Sequence, residues 1–187
     1  ALKVEEELKK VPGIRSVLET AKEAKAKKLA CLVGFCWRYN NAMRQAFKQV
    51  PKELDETAEK FIRSQGATPA FKGYRGFPGS ICASPNSMVV HGIPGSYELK
   101  RGDLISLDVG VVYDGWVADA AFTIPIGPVS EPAMQLLETT KASLFTGIAE
   151  AKVGNHLGDI SHAIQERIER DGLAVIKSLV GHGIGRR

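Results

Sequence analysis

The chain has 187 residues, enough for one sizeable core, because domains typically run to about 100–150 residues. Hydrophobic residues make up 44% and charged residues 25%, a composition that excludes disordered, collagen-like and disulfide-rich proteins. The net charge of +4 comes from 25 basic and 21 acidic residues, and these are interleaved in the first third, so we expect solvated helix faces rather than a nucleic-acid-binding patch.

The first predicted elements are a helix, a strand and a second helix. Ser16 and Glu19 have the spacing of a capping box and predict a helix that ends near Lys28. The apolar run LACLVGF that follows is typical of a buried strand. Pro51 then opens a helix that Gly66 closes, and its predicted apolar stripe consists of Leu54, Ala58, Phe61 and Ile62.

The middle of the chain predicts loops and then a hairpin. Residues 68–96 are rich in Gly, Pro, Ser and Asn, with short β-prone pieces in SICAS and SMVVHGI. LISLDVGVV and WVADAAFTI follow as two strands, and the Asp114-Gly115 pair between them is a strong signal for a hairpin turn. We therefore expect an antiparallel pair.

The last third predicts two helices and a strand. A long helix is expected from Glu131 to Lys152. Apolar residues recur at helical spacing in a second helix that Gly172 terminates, at Leu157, Ile160, Ile164 and Ile168. LAVIKSLV is expected to be the last strand.

Because the chain starts without Met and stops at GHGIGRR, a glycine-rich turn, we expect both ends to be cut.

Three cysteines, Cys31, Cys36 and Cys82, form no C-x-x-C pair, so neither a disulfide framework nor a cysteine zinc site is indicated. The first residues are charged, and no run approaches the roughly 18 apolar residues of a membrane span. We therefore expect a cytoplasmic protein without a membrane or nucleic-acid partner.

Two aspartates, Asp108 and Asp119, interrupt the apolar hairpin. A two-residue turn at Asp114-Gly115 makes them diagonal neighbours on one face, and a turn moved back by one residue sets them directly opposite each other. Paired carboxylates in such a place need a shared proton, hydrogen bonds or a cation. A bridging divalent cation is the simplest solution, and a solvated face is the alternative.

Two histidines extend this group. His182 stands between glycines in GHGIG, after the last predicted strand, and His91 stands before a turn in VVHGIPG, at the end of a β-prone piece. A histidine added to carboxylate ligands favours transition metals. Together with the aspartates, the histidines complete a plausible set of ligands and acid–base groups for metal-assisted hydrolysis.

At this point the chain resembles the bacterial type I methionine aminopeptidases. The resemblance covers about residues 51–187 and rests on three motifs in the family's order: GYRGFPGSICASPNSMVVHGIPG, LKRGDLISLDVGVVYDGWVADAAFTIPIG and GHGIGR. It implies the α+β pita-bread fold, here incomplete, and a metallo-exopeptidase that removes the N-terminal methionine of newly made proteins. The implied partners are the N-termini of nascent polypeptides and the ribosome.

The resemblance also implies roles for single residues. Asp108 matches the bidentate ligand of one metal, Asp119 the carboxylate that bridges both, and His182 the histidine ligand, with two divalent ions (cobalt, manganese, iron or zinc) as cofactors. His91 matches a catalytic histidine that hydrogen-bonds the substrate near the scissile bond. The methionine pocket is matched by Phe71, Tyr74, Phe77 and Cys82 together with His91, and Phe71 stands where other members often have cysteine.

Two departures from the family pattern limit what we expect. The family takes two further glutamate ligands from the region after GHGIGR, so we expect residues 1–187 alone to bind metal weakly and to show little or no turnover. Residues 14–50 instead resemble a fragment of the NAD-dependent glucose-fructose oxidoreductase-like family. They contain no G-x-G-x-x-G turn, so no dinucleotide site is expected.

The expected organisation is therefore a segment of foreign origin, 1–50, followed by the N-terminal part of the aminopeptidase domain, 51–187. The alternative function is a non-catalytic pita-bread binding module. Such relatives typically lack the metal ligands, whereas this chain keeps every ligand that its length allows. An oxidoreductase function would be supported only by the resemblance of the first segment.

Overall fold

The structure, a computed structural model, describes residues 51–186, and the helix and strand predicted within residues 1–50 lie outside the described residues. The described chain divides into two units. The first holds the residues up to Val129 together with 183–186, and the second runs from Ser130 to His182.

Helix α1, Pro51–Ser64, opens the first unit. Glu53 in its first turn and Arg63 in its last turn both complement the helix dipole. Gly66 follows with φ 75°, a left-handed conformation that suits glycine after a helix end. The predicted apolar stripe is confirmed, because all four of its members are buried: Leu54, Ala58, Phe61 and Ile62.

The first unit also contains an antiparallel sheet of four strands: β1 Thr68–Pro69, β2 Cys82–Pro85, β3 Leu104–Tyr113 and β4 Trp116–Pro125. Strand β3 is central, because it pairs with β4 along its whole length and with β2 and β1 along its other edge. The two long strands occupy the predicted positions. SICAS contributes β2, whereas SMVVHGI forms no strand, so that part of the prediction is wrong.

The core of the first unit lies on one face of this sheet. Alternate residues of β3 are buried, and Ile105, Leu107, Val109 and Val111 belong to one apolar cluster with the stripe of α1. The residues between them, including Ser106 and Asp108, point to the opposite face because side chains alternate along a strand. The sheet therefore separates an apolar core from a face that carries polar groups.

Residues 86–103 form a long loop that is closed at its base by Asn86. The backbone N–H of Asn86 donates to the Leu104 carbonyl at 2.9 Å, and the Leu104 N–H donates to Asn86 Oδ1 at 2.9 Å. The Asn86 amide also donates to Asp103 Oδ1 at 3.0 Å, and the Tyr97 hydroxyl donates to Asp103 Oδ2 at 3.0 Å. These bonds keep the two ends of the loop together at the edge of the sheet.

The second unit contains helix α2, Glu131–Ala149, and helix α3, Leu157–Arg170. Both helices were predicted, although α2 ends at Ala149 rather than at Lys152. The helices approach closely at Gly147, where an added β-carbon would lie 2.6 Å from Cγ1 of Ile164. Thr139 of α2 donates to Asp171 Oδ2 at 2.6 Å and ties α2 to the end of α3.

The predicted strand LAVIKSLV is wrong: residues 173–180 are assigned to no strand. A strand needs a neighbouring backbone to bond with, and no ladder in the described part of the chain includes these residues. Farther on, within the first unit, the Val117 N–H donates to the Gly185 carbonyl at 2.8 Å and Trp116 forms a bridge with Arg186.

None of the helices described between residues 51 and 186 combines the length and apolar character that a membrane crossing requires.

Candidate active site

The hairpin turn fixes the relative position of the two aspartates. Asp114 and Gly115 have φ of 49° and 78°, and two consecutive positive values are typical of a type I′ turn. Tyr113 then pairs with Trp116, Asp108 with Ala121 and Gly110 with Asp119. Of the two predicted registers, the one with a turn at Asp114-Gly115 is confirmed. Asp108 and Asp119 are diagonal neighbours on one face.

This face is the one directed away from the apolar core. Cys82 of β2, Asp108 of β3 and Ala121 of β4 stand side by side in one row across the three strands. The adjacent row contains Ser84, Ser106 and Thr123, and the hydroxyls of the last two lie 2.8 Å apart. The aspartates therefore belong to a polar face that alternates with the core, and they do not interrupt the core itself.

Asp108 is electrostatically strained. Burial of its carboxyl group, followed by the charge of Asp119 and a hydrogen bond with it, raises the pKa of Asp108 to about 8. Its Oδ1 atom is buried and accepts no hydrogen bond within the described residues. A buried oxygen without a partner beside a second carboxylate fits a hard divalent cation, which would supply the missing contact.

Cys82 is buried, with 4% of its surface exposed. Burial, then the charges of Asp108, Asp119 and Asp55, raises the pKa of Cys82 to about 12. The side chain is therefore a neutral thiol that behaves as a small apolar group beside the carboxylates, rather than a thiolate nucleophile.

Phe71 covers part of the same face. A β-carbon added to Gly110, the residue paired with Asp119, would lie 2.4 Å from Cε1 of Phe71. The Ala70 N–H donates to the Gly110 carbonyl at 2.9 Å and holds this segment against β3. The glycine is therefore needed for the close approach of the Phe71 ring, which brings this predicted pocket residue next to the aspartate pair.

Tyr74 and Phe77 lie at a short 3₁₀ helix, Tyr74–Gly76. Tyr74 is 56% exposed, and the Arg75 guanidinium lies 5.5 Å from the centre of its ring. Phe77 is half-buried, and its N–H donates to the Tyr74 carbonyl at 2.9 Å. The contribution of Tyr74 and Phe77 to a methionine pocket stays a prediction.

Two acidic residues of α1 that the sequence analysis missed anchor this region. Asp55 Oδ1 accepts hydrogen bonds from the N–H groups of Ser80, at 2.6 Å, and Ile81, at 2.9 Å. Glu59 accepts from Lys72 and from the Ser80 hydroxyl. The hydrogen bond from Lys72 is the main reason that the pKa of Glu59 is lowered to about 2. In the sequence, Asp55 and Glu59 lie one helical turn apart beside the apolar stripe of α1, and this spacing was the available sign that they face the same neighbours.

His91 lies in the 86–103 loop, so its predicted place at the end of a strand is wrong. Its side chain is exposed and its φ is 57°, a conformation that residues with a β-carbon rarely adopt. The next residue, Gly92, is buried and hydrogen-bonded to β2. The catalytic role of His91 stays a prediction.

His182 is exposed and belongs to the second unit. Within residues 51–186, no group of three or more His, Cys, Asp or Glu side chains is arranged to hold a metal ion. The structure thus brings Asp108 and Asp119 together, and the full ligand set with His182 stays a prediction.

Comparison with known proteins supports the resemblance. Residues 36–187 match metallopeptidase family M24. Methionine aminopeptidase 1 of Bacillus subtilis is 53% identical over 135 residues, which are 72% of this chain and 54% of that protein. The chain therefore spans about half the length of this relative.

Solved structures give the same result. Methionine aminopeptidase from Thermotoga maritima superposes with a TM-score of 0.74 at 38% identity, covering 77% of this chain and 59% of that one. The enzyme from Rickettsia prowazekii has a TM-score of 0.73 at 38% identity, covering 75% and 56%. The fold is thus of the pita-bread type, and its α+β class is as predicted. On the evidence of its motifs, its fold and these matches, the chain belongs to metallopeptidase family M24.

Proposed function

We propose that this chain is part of a metal-dependent methionine aminopeptidase, which removes the N-terminal methionine from newly made proteins. The observation that carries the proposal is the buried, unpartnered Oδ1 of Asp108 beside Asp119. It occurs in a chain that is 53% identical to a methionine aminopeptidase over 135 residues. Asp108, Asp119 and His182 are the proposed ligands of two divalent ions, drawn from cobalt, manganese, iron and zinc.

When bound, such ions polarise a carbonyl group and make water a stronger nucleophile. Asp108 and Asp119 would hold the ions through their carboxylates. Asp108, whose pKa is raised to about 8, would give up its proton on becoming a ligand. Asp119 offers its carboxylate from the neighbouring strand.

The substrate side of the site is apolar and partly aromatic. Phe71 and Cys82 border the aspartate pair. With Tyr74 and Phe77 they form the proposed pocket for methionine, whose flexible thioether suits an adaptable apolar wall. His91 is proposed to donate a hydrogen bond to the substrate near the scissile bond. The proposed setting is the cytoplasm, with nascent polypeptides at the ribosome as substrates.

The division of the chain is also a proposal: a first segment, 1–50, of different origin, and an aminopeptidase part, 51–187. The family match begins at residue 36.

A polypeptide of residues 1–187 alone supplies three of the five ligands that the resemblance implies, so we expect weak metal binding and little turnover from it. The test uses this polypeptide and a chimera that continues it with the part of the Bacillus subtilis relative following the counterpart of residues 181–186. Both are loaded with manganese or cobalt and assayed for release of methionine from the peptide Met-Ala-Ser.

We expect the chimera to release methionine and its Asp119→Ala variant to lose this activity. Release that survives Asp119→Ala, or a folded and metal-loaded chimera without any release, would overturn the proposal. Peptide binding without cleavage would favour the alternative, a non-catalytic binding module. Substantial turnover by residues 1–187 alone would contradict the expected impairment.

A further inference from the structure

Ser84 lies on β2, on the same face of the sheet as the aspartate pair, but it has no place in the proposed chemistry. It pairs with Ser106 of β3, and Cys82, two positions earlier on its strand, pairs with Asp108. Only 3% of its surface is exposed. A buried hydroxyl needs a partner, and Ser84 Oγ accepts a hydrogen bond from the Gly92 N–H at 3.0 Å.

This bond is one half of a two-point attachment. The Gly92 carbonyl accepts a hydrogen bond from the Ala83 N–H at 2.9 Å. Both backbone polar groups of Gly92 are thus held by neighbouring residues of β2. A β-carbon at Gly92 would lie 2.2 Å from the Ala83 carbonyl oxygen, so the loop backbone lies directly against the strand and only glycine fits there.

The attachment matters because the residues on either side of Gly92 are exposed. Among residues 86–103, all of which the structure describes, Gly92 alone is buried. On either side, Val90 is 42% and Ile93 61% exposed. His91, directly before Gly92, has φ 57°, a conformation that persists only when surrounding contacts impose it. The two hydrogen bonds of Gly92 hold the residue that directly follows His91.

We propose that Ser84 is a positioning residue, which sets the place and backbone conformation of His91 through its hydrogen bond to Gly92. The proposal rests on the proposed role of His91 at the substrate. Ser84 itself touches no reacting atom. Strand β2 also carries Cys82, which pairs with Asp108, so the strand that holds the loop of His91 also lies beside the carboxylates.

The test uses nuclear magnetic resonance on the ¹⁵N- and ¹³C-labelled chain. In the unchanged protein we expect a Gly92 amide that is protected from hydrogen exchange. Ser84→Ala should speed this exchange about five- to tenfold, the factor for one lost hydrogen bond, and should move the ring signals of His91. Ser84→Thr, which keeps the hydroxyl, should restore both readouts towards those of the unchanged chain.

Ser106→Ala is the matched control. Ser106 is the residue paired with Ser84 on the neighbouring strand, but its hydroxyl is hydrogen-bonded to Thr123 and not to Gly92. This substitution should leave the Gly92 exchange rate and the His91 signals unchanged. Equal effects of Ser84→Ala and Ser106→Ala would overturn the proposal, because they would show only a general response of the sheet. An unprotected Gly92 amide in the unchanged chain would overturn it without any variant, even if Ser84→Ala fails to fold.

The proposed function is tested separately by titrating the unchanged chain with Met-Ala-Ser. Movement of the His91 ring signals would support contact between His91 and the peptide. Unmoved signals would remove His91 from the substrate site, while the exchange data would still decide whether Ser84 holds it.

Discussion

Asp108 shows how a single residue can oppose the stability of a fold and still be well placed for a function. Its carboxyl is buried beside Asp119, and its Oδ1 has no hydrogen-bond partner within the described residues. An apolar residue of similar size would cost the fold less. A group kept at such a position is expected to bind something, and a cation relieves both the repulsion and the missing contact.

The raised pKa of Asp108 predicts how the stability of the metal-free chain depends on pH. The group binds its proton more tightly when folded, with a pKa of about 8 against 3.8 unfolded. Its stabilising contribution is therefore full below about pH 4 and is lost as the pH rises towards 8. The raised pKa of Asp55 acts in the same direction. Denaturant unfolding without metal should show stability falling across this range, by at most about 1.4 kcal/mol per pH unit for Asp108.

Asp108→Asn should flatten this dependence. Glu98→Gln, at an exposed position of the 86–103 loop, should leave it unchanged. An equally steep fall with pH in Asp108→Asn would show that the Asp108 carboxyl is not the titrating group.

Gly110 predicts a second effect at a single position. Gly110→Ala would place a β-carbon 2.4 Å from the Phe71 ring, so the ring must move and the unfolding free energy should fall by about 1–3 kcal/mol. Gly95→Ala is the control, because its nearest neighbouring atom would be 3.7 Å away and we expect a change within about 0.5 kcal/mol. Urea unfolding measures both. A neutral Gly110→Ala would mean that Phe71 does not lie against Gly110 in solution.

Among the elements, sequence reasoning succeeded where a signal is local. The Asp114-Gly115 turn specified the hairpin and, with it, the diagonal placement of Asp108 and Asp119. The spacing of Leu54 and Ala58 was enough to identify the buried face of α1. Each signal lies within one or two turns of the chain, so no distant partner was needed to interpret it.

The failures occurred where the outcome depends on distant residues. LAVIKSLV is β-prone, but residues 173–180 pair with no strand among those described. The loop 86–103 is fixed by the bond of Asn86 to Asp103 and the bond of Gly92 to Ser84, which span 17 and 8 residues. The hydrogen bonds of Asp55 to Ser80 and Ile81 span 25 and 26 residues, so no local pattern indicates them.

The packing of α2 against α3 makes a prediction about the helices. Gly147→Ala would place a β-carbon 2.6 Å from Ile164 Cγ1, forcing the helices apart and lowering the stability of the second unit by about 1–3 kcal/mol. Gly158→Ala, in α3 with no atom within 4 Å, should instead stabilise it by about 0.5–1 kcal/mol, because alanine favours helix. Helical circular dichroism during thermal unfolding measures both changes. Equal effects of the two substitutions would contradict close packing at Gly147.

At the scale of the whole molecule, the chain spans about half of its relatives, with 54% of the Bacillus subtilis protein covered. The part described contains a four-stranded sheet whose polar face carries Asp108 and Asp119. The hairpin carboxylates are proposed to hold a divalent cation, and this binding does not require the chain to complete a reaction.

Isothermal titration of residues 1–187 with manganese at pH 7, repeated in buffers of different ionisation enthalpy, measures both the binding and the protons that it releases. We expect weak binding that releases about one proton, because Asp108, with its pKa near 8, must lose its proton to become a ligand. Binding and proton release should both disappear in Asp119→Ala. Binding that persists unchanged in Asp119→Ala, or that releases no proton, would show that Asp108 and Asp119 do not hold the cation.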